Sequence, residues 1–326
     1  MPATVTHAYF AMDLYDSLPI GLKKLLMDQK GQLRMFGQSL DPLYFYNLIS
    51  FKKGKNVQAF GHHFHEHQSQ EFFINLVNYI KYNRYYKHPE VMAFLYGFIA
   101  HYILDTTIHP YVFYKTGCYK KDDPTTFSYR NQHDYMETFL DNYMIKQKEH
   151  SNPYHFKFHQ YCFDLQPFAP ELEEVIDYVF EETFHIHHMS HFYYRALKQM
   201  SFCLKWFRYD KSGIKMKIYQ TLDHFKPKHT FQLKAISYHR KLIDDKNYLN
   251  TSHQTWIHPC VKREKHQESF IELYMIALHR ATNTIKDVNA YLKDTKKVNL
   301  KKVFPNLSYL TGKDCEKNYS LRYFEH

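Results

Sequence analysis

Along the stretch Ala100-His-Tyr-Ile-Leu-Asp-Thr-Thr-Ile-His-Pro110, two imidazoles and one carboxylate stand at every fourth position of an otherwise apolar run. On an α-helix, His101, Asp105 and His109 drift only about 80° around the axis, so they share one stripe. His101 and His109 are then about 12 Å apart along that axis. That is too far for both to ligate one tetrahedral ion through bonds of about 2 Å. A carboxylate between them can face cations on either side, and the spacing therefore points to a polynuclear site centred on Asp105. In such sites two ions about 3.5–4 Å apart clamp a phosphate and activate a bridging water. A lone histidine on an apolar face is usually a satisfied core residue. Three ionisable groups on one buried stripe each need a partner, which a metal supplies.

Other residues could join them. Gln132-His-Asp-Tyr-Met-Glu137 sets His133 and Glu137 at i, i+4, a pair that alone carries little, since it is common on helix surfaces. Gly61-His-His-Phe-His-Glu-His67 offers four histidines immediately before a predicted helix, and Asp41 and His7 stand further upstream. The remaining histidine-rich pieces, His185-Ile-His-His188 with His191 and His253 with Trp256-Ile-His-Pro259, read as a polar helix end and a packed loop. The alternatives there are a secondary metal patch and a substrate lip. Histidine is abundant throughout, at 24 residues, and imidazole is the commonest metal ligand.

The elements that must position these groups are helices. With 9 glycines and 12 prolines in 326 residues, the chain lacks the turn-formers of a sandwich or barrel. Its 27 phenylalanines and 30 tyrosines exclude long disorder. What remains is an all-α fold, a single multi-helix domain. Periodicity predicts helices over 6–15, 20–28, 69–84, 87–109, 131–147, 171–185, 191–210, 214–225, 268–286 and 288–297. Thr4 or Thr6 is the expected first N-cap, Pro110 the expected stop after His109, and Gln38–Asn47 a loop. Residues 1–150 read as a metal-site helical core, and residues 151–326 as additional helices packed on the same domain, with a basic polar tail from about 298. A split near Asn152 is the alternative.

The formal charge of +10 is compatible with anionic lipid head groups, but the basic residues are scattered, so no specific nucleic acid is expected. Five widely spaced cysteines without a CxxC pair form neither a disulfide framework nor a zinc finger. No signal peptide is visible, and Val91–Leu104 is too short to span a bilayer. The expectation is a cytoplasmic protein.

Taken in order, these residues resemble the zinc-dependent phospholipase C family, which shares its all-α fold with secreted bacterial phosphatidylcholine-preferring phospholipases C and fungal zinc nucleases. The resemblance covers about residues 1–150. It rests on Thr6-His7 with Phe10-Ala11, Ser39-Leu-Asp41-Pro-Leu-Tyr-Phe-Tyr, His65 followed by Glu71-Phe-Phe, His101-Tyr-x-x-Asp105 with His109-Pro, and His133-x-x-x-Glu137. It implies two to three Zn2+ ions. Asp41, His65, His101 and Asp105 would hold one, His109, His133 and Glu137 a second, and His7 with the shared Asp105 a third. His63 and His67 rival His65, which is preferred for its spacing to Phe72-Phe73.

The implied activity is hydrolysis of a phosphate ester, phospholipase C-like cleavage of a phospholipid head group by a metal-bridging hydroxide, with peripheral contact to a membrane surface. Asp41 and Asp105 would be the catalytic residues, a general-base role being open for Asp41. A nuclease or nucleotidase on the same site and a non-catalytic metal-stabilised lipid-binding scaffold are the rival readings. Two departures stand out. The secreted enzymes use a mature N-terminal tryptophan on the third zinc, whereas here Met1 begins a six-residue lead to His7. The Asp105–His109 gap is also shorter than theirs, so the helix is expected to end differently at His109-Pro110.

Overall fold

Phe72, Phe73, Leu76, Val77 and Ile80 recur at three- and four-residue intervals, and in the computed structural model they form the buried face of a helix over Ser69–Tyr82. The same logic repeats along the chain. The structure describes residues 4–47, 54–149, 156–206, 212–227, 230, 232–236, 244 and 246–325. Among them lie thirteen α-helices: α1 (Thr4–Ser17), α2 (Ile20–Leu25), α3 (Lys30–Phe36), α4 (Lys55–Glu66), α5 (Ser69–Tyr82), α6 (Pro89–Thr116), α7 (Gln132–Glu149), α8 (Phe158–Cys162), α9 (Pro170–Phe184), α10 (Met189–Trp206), α11 (Ile214–His224), α12 (Phe270–Leu292) and α13 (Leu300–Val303). A small antiparallel hairpin, β1 (Trp256–His258) and β2 (Val261–His266), is the one sheet in the described residues. The fold is all-α, as the composition requires. The alternative boundary at Asn152 and the last turn assigned to 191–210 lie outside the described residues.

Helix α6 is the axis of the molecule. It packs against α1, α3, α5, α7, α9 and α12. It is long and apolar enough to cross a membrane, yet nearly all of it is buried inside the protein, which makes it a core helix. Gly97 permits its close approach to α3, since a Cβ there would sit 2.6 Å from the Cβ of Phe36 and 2.7 Å from its carbonyl carbon.

The structure corrects several expectations. Helix α6 does not stop at His109 but continues through Pro110 to Thr116. Proline removes one amide donor and crowds the carbonyl four residues back, here Thr106. Burial on both sides of Pro110 (Ile108, Tyr111, Val112) holds the helix together across that defect. The expected break between Lys286 and Val288 is also absent: Ile285, Val288 and Leu292 continue one buried stripe, and α12 is a single helix. The stretch around Asp41 is a 3₁₀ turn over Asp41–Phe45, with Pro42 in its first turn, where a missing amide costs nothing.

Helix α1 starts at Thr4, and its capping group comes from far away. The buried Asp141 carboxylate of α7 accepts from the amides of Val5 (3.1 Å) and Thr6 (2.7 Å) and from the Thr6 hydroxyl (2.8 Å). The segment read as a basic polar tail sends Phe304 and Tyr309 into the core.

Candidate metal centre

Four helices and a 3₁₀ turn converge around Asp105. Helix α6 carries His101, Asp105 and His109, α1 brings His7, the last turn of α4 brings His65, and α7 brings His133 and Glu137. The 3₁₀ turn adds Asp41. All are buried except His133, whose side chain is 24% exposed, so the set meets solvent at its α7 edge.

Asp105 is the hub. Its Oδ1 lies 3.2 Å from His7 Nε2, and its Oδ2 lies 3.0 Å from His101 Nε2 and 3.6 Å from His109 Nδ1. Asp41 Oδ1 stands 3.2 Å from His65 Nε2, and its Oδ2 3.9 Å from His101 Nε2. Glu137 Oε1 is 2.9 Å from His133 Nε2 and 3.5 Å from His109 Nε2. Three groups of possible ligand atoms result, each within 4.8 Å: His7, His101 and Asp105; Asp41, His65 and His101; and His109, His133 and Glu137. His101 and His109 fall into different groups, as their separation along the helix demands.

The outer hydrogen bonds distinguish these histidines from ordinary core residues. His65 Nδ1 donates to the Gly61 carbonyl (2.6 Å), His101 Nδ1 to Gly37 (3.0 Å) and His109 Nδ1 to Tyr309 (2.9 Å). Each carbonyl fixes one tautomer and turns Nε2 toward the carboxylates, as bound metals require of their imidazoles. Glycine at 97 is what lets the Gly37 carbonyl come so near α6.

Electrostatics agree. Burial opposes ionisation of Asp105, but His101, His109 and His7 outweigh it and hold the carboxyl well below the usual range. Glu137 is likewise held low against burial by His133 and His109. His109 is pushed up to about 9 against burial, by Asp105 and then Glu137. Two carboxylates thus stay anionic in a dry interior, the state a cation needs.

The residues fit zinc. Among the described residues His101 Nε2 is buried and makes no hydrogen bond, although it is only 3.0 Å from Asp105 Oδ2. Atoms crowded together without hydrogen-bond geometry are costly in a core, and a shared cation satisfies them. The donor set of imidazole nitrogens and carboxylate oxygens is one that zinc accepts.

The rivals of His65 do not reach the centre: His63 and His67 are exposed and stack on each other at 4.4 Å. His185, His187, His188 and His191 are exposed, and His187 pairs with Glu181. His258 is buried away from the set, its Nε2 donating to the Thr311 carbonyl at 3.1 Å. The departure expected at the amino terminus falls on residues 1–3, outside the described residues.

Sequence reasoning missed Asp141, which seats α1 and hence His7, and Tyr309. The Tyr309 amide donates to the His65 carbonyl at 2.9 Å, and its ring lies 5.0 Å from His65 and 5.8 Å from His101. The signal was present in Leu307-Ser-Tyr-Leu-Thr-Gly312, an apolar patch ending in glycine inside a polar tail. Gly312 has φ +61°, and a Cβ there would fall 2.4 Å from the Thr106 carbonyl oxygen.

A family model described as zinc dependent phospholipase C matches residues 6–188, more than half of the chain. The matched span contains every residue of the three ligand groups and ends well before Tyr309. No curated protein and no solved structure matches the chain.

Proposed function

Because this chain belongs to the zinc-dependent phospholipase C family, we propose that it hydrolyses phosphate esters at this centre, removing the phosphorylated head group of a phospholipid. When bound, zinc supplies Lewis-acid polarisation of the phosphoryl oxygens and acidifies water toward neutrality. Every other task falls to the protein.

The observation that carries the reading is the set of three Nδ1-to-carbonyl bonds, which aim His65, His101 and His109 at buried carboxylates. They hold the imidazoles in the ligand tautomer before any metal arrives, so little reorganisation is needed. His101 cannot serve two ions, since Nδ1 is committed to Gly37 and one nitrogen remains. We therefore assign it to the ion shared with Asp41, His65 and Asp105. The second ion goes to His109, His133 and Glu137. His7 and Asp105 alone remain for a third, which is held more weakly. Asp41 is assigned as general base, because its Oδ2 is buried with no hydrogen-bond partner among the described residues and can take a proton. His133, on the exposed edge, marks where the phosphoryl group enters.

Metal analysis after dialysis, combined with hydrolysis of a soluble phosphodiester, tests this. The expected result is about two tightly held zinc equivalents and turnover abolished by chelator. In Asp105→Asn the expected result is loss of at least one equivalent and of activity by about 10³-fold or more. Fewer than two equivalents in wild type would remove the polynuclear mechanism. Full loading without turnover on any ester would leave a metal-stabilised scaffold.

A further inference from the structure

On α6, Ile103 and Thr107 are each two residues from Asp105 and so lie about 160° around the axis, on the face away from the metal centre. Behind that face is a cavity of about 460 Å3, lined among others by Ile103, Arg280, Asn283, Lys297, Lys302 and Val303. It lies between α6, α12 and the segment entering α13.

Arg280 of α12 is half-buried, and among the described residues one of its five N–H donors is used: Nη1 donates to the Thr107 hydroxyl at 2.6 Å. That hydroxyl in turn donates to the Ile103 carbonyl at 2.6 Å, so the anchor is fixed from the α6 side. Among the described residues no carboxylate is within ion-pair distance of Arg280, and burial lowers its pKa. Lys297 and Lys302 stand exposed at the rim with no ion pair among the described residues, while Lys296 is taken by Asp287 at 3.1 Å. A guanidinium drawn partly out of water without a counter-charge is unfavourable. A ligand that brings negative charge offsets that.

We propose that this cavity binds a phosphate-bearing anion, gripped by the Arg280 guanidinium and the Lys297 and Lys302 ammonium groups, as a site separate from the metal centre. Three cations on one cavity suit a dianion better than a carboxylate, and the arginine fork matches two phosphate oxygens at once. Ile103 and Val303, with Tyr102 and Pro305, supply an apolar wall for the organic part of the ligand. The same chemistry has two sources: a soluble phosphate ester, or the head group of an anionic lipid at a bilayer surface.

Pyrophosphate titrated calorimetrically into the zinc-loaded protein tests the site. The metal centre also attracts phosphate, so wild type is expected to show two binding classes. Lys297→Glu with Lys302→Glu changes only exposed side chains. It should weaken one class at least tenfold while zinc content and hydrolysis of a soluble phosphodiester stay unchanged. Arg280→Met should do the same, and the exposed pair decides the matter if Arg280→Met fails to fold. Unchanged binding in the exposed pair overturns the proposal. Sedimentation with phosphatidylcholine vesicles, with and without phosphatidate, separates the sources. Phosphatidate-dependent binding lost in the pair identifies a lipid head group, and pyrophosphate binding without vesicle binding identifies a soluble ester. If wild type binds pyrophosphate at the variant-sensitive site but hydrolyses nothing, the reading of the metal centre fails and this one stands.

Discussion

His7, His101 and His109 face one carboxylate from two helices, and His101 and His109 are each pinned from behind by a backbone carbonyl. Much of that set was legible, because i, i+4, i+8 spacing converts directly into one helical stripe. The weak pair His133 and Glu137 gained meaning only through its position beside His109, a contact that no local pattern encodes. Elsewhere a single histidine carries a different property. His258 is buried and accepts from the Cys260 amide at Nδ1 while donating to Thr311 at Nε2, so its neutral form is the one the fold accommodates. Burial lowers its pKa to about 4, with Lys313 adding to the effect. The unfolded chain binds this proton near ~6.5, so between roughly 6.5 and 4 the unfolded state holds more protons. The His258 contribution is therefore complete above that window and is lost on acidification through it. Urea denaturation at a series of pH values should show a shallower loss of stability in His258→Gln than in wild type over that range, each variant being referred to its own value at pH 8.

Elements were read well where periodicity ruled and poorly where tertiary packing overrode a local rule. Proline at 110 should end a helix in isolation, but buried neighbours on either side carry α6 past it. A group that caps the first turn of α1 lies far from Thr4 in the sequence: the Asp141 carboxylate takes two amides and a hydroxyl. Asp141→Asn should cost about 2 kcal/mol of stability, since it weakens charge-assisted bonds in a buried setting. It should also loosen His7 and so lower the zinc bound per chain in metal titrations. Gly97→Ala tests the α3–α6 contact. The added methyl would strike Phe36 at 2.6 Å, so the helices must part, at about 1–3 kcal/mol for overpacking. Parting them withdraws the Gly37 carbonyl from His101, and zinc affinity should fall by about 10–100-fold in competition with a chromophoric chelator. If affinity holds while stability drops, the carbonyl is not what orients the imidazole.

For the whole molecule, zinc held at the candidate centre would be coupled to folding, because the centre draws on α1, α4, α6, α7 and the turn at Asp41. A site occupied at a hundred times its dissociation constant adds about 2.7 kcal/mol to stability. Stripping zinc should lower the melting temperature by about 5 °C or more, restored by zinc and not by magnesium. The all-α class was legible from scarce glycine and abundant aromatics. The part played by the C-terminal segment showed only as an apolar patch in a polar tail, since the Tyr309 carbonyl that holds His109 leaves no trace in residue type.

The carbonyl that turns His109 belongs to residue 309 of 326, whereas every side chain of the candidate ligand groups is already present by residue 137. During synthesis on the ribosome, the growing chain therefore displays its imidazoles and acids long before the strut that aligns one of them has been polymerised. Until residue 309 has been made, His109 lacks the carbonyl that fixes its tautomer, while His65 and His101 already have theirs.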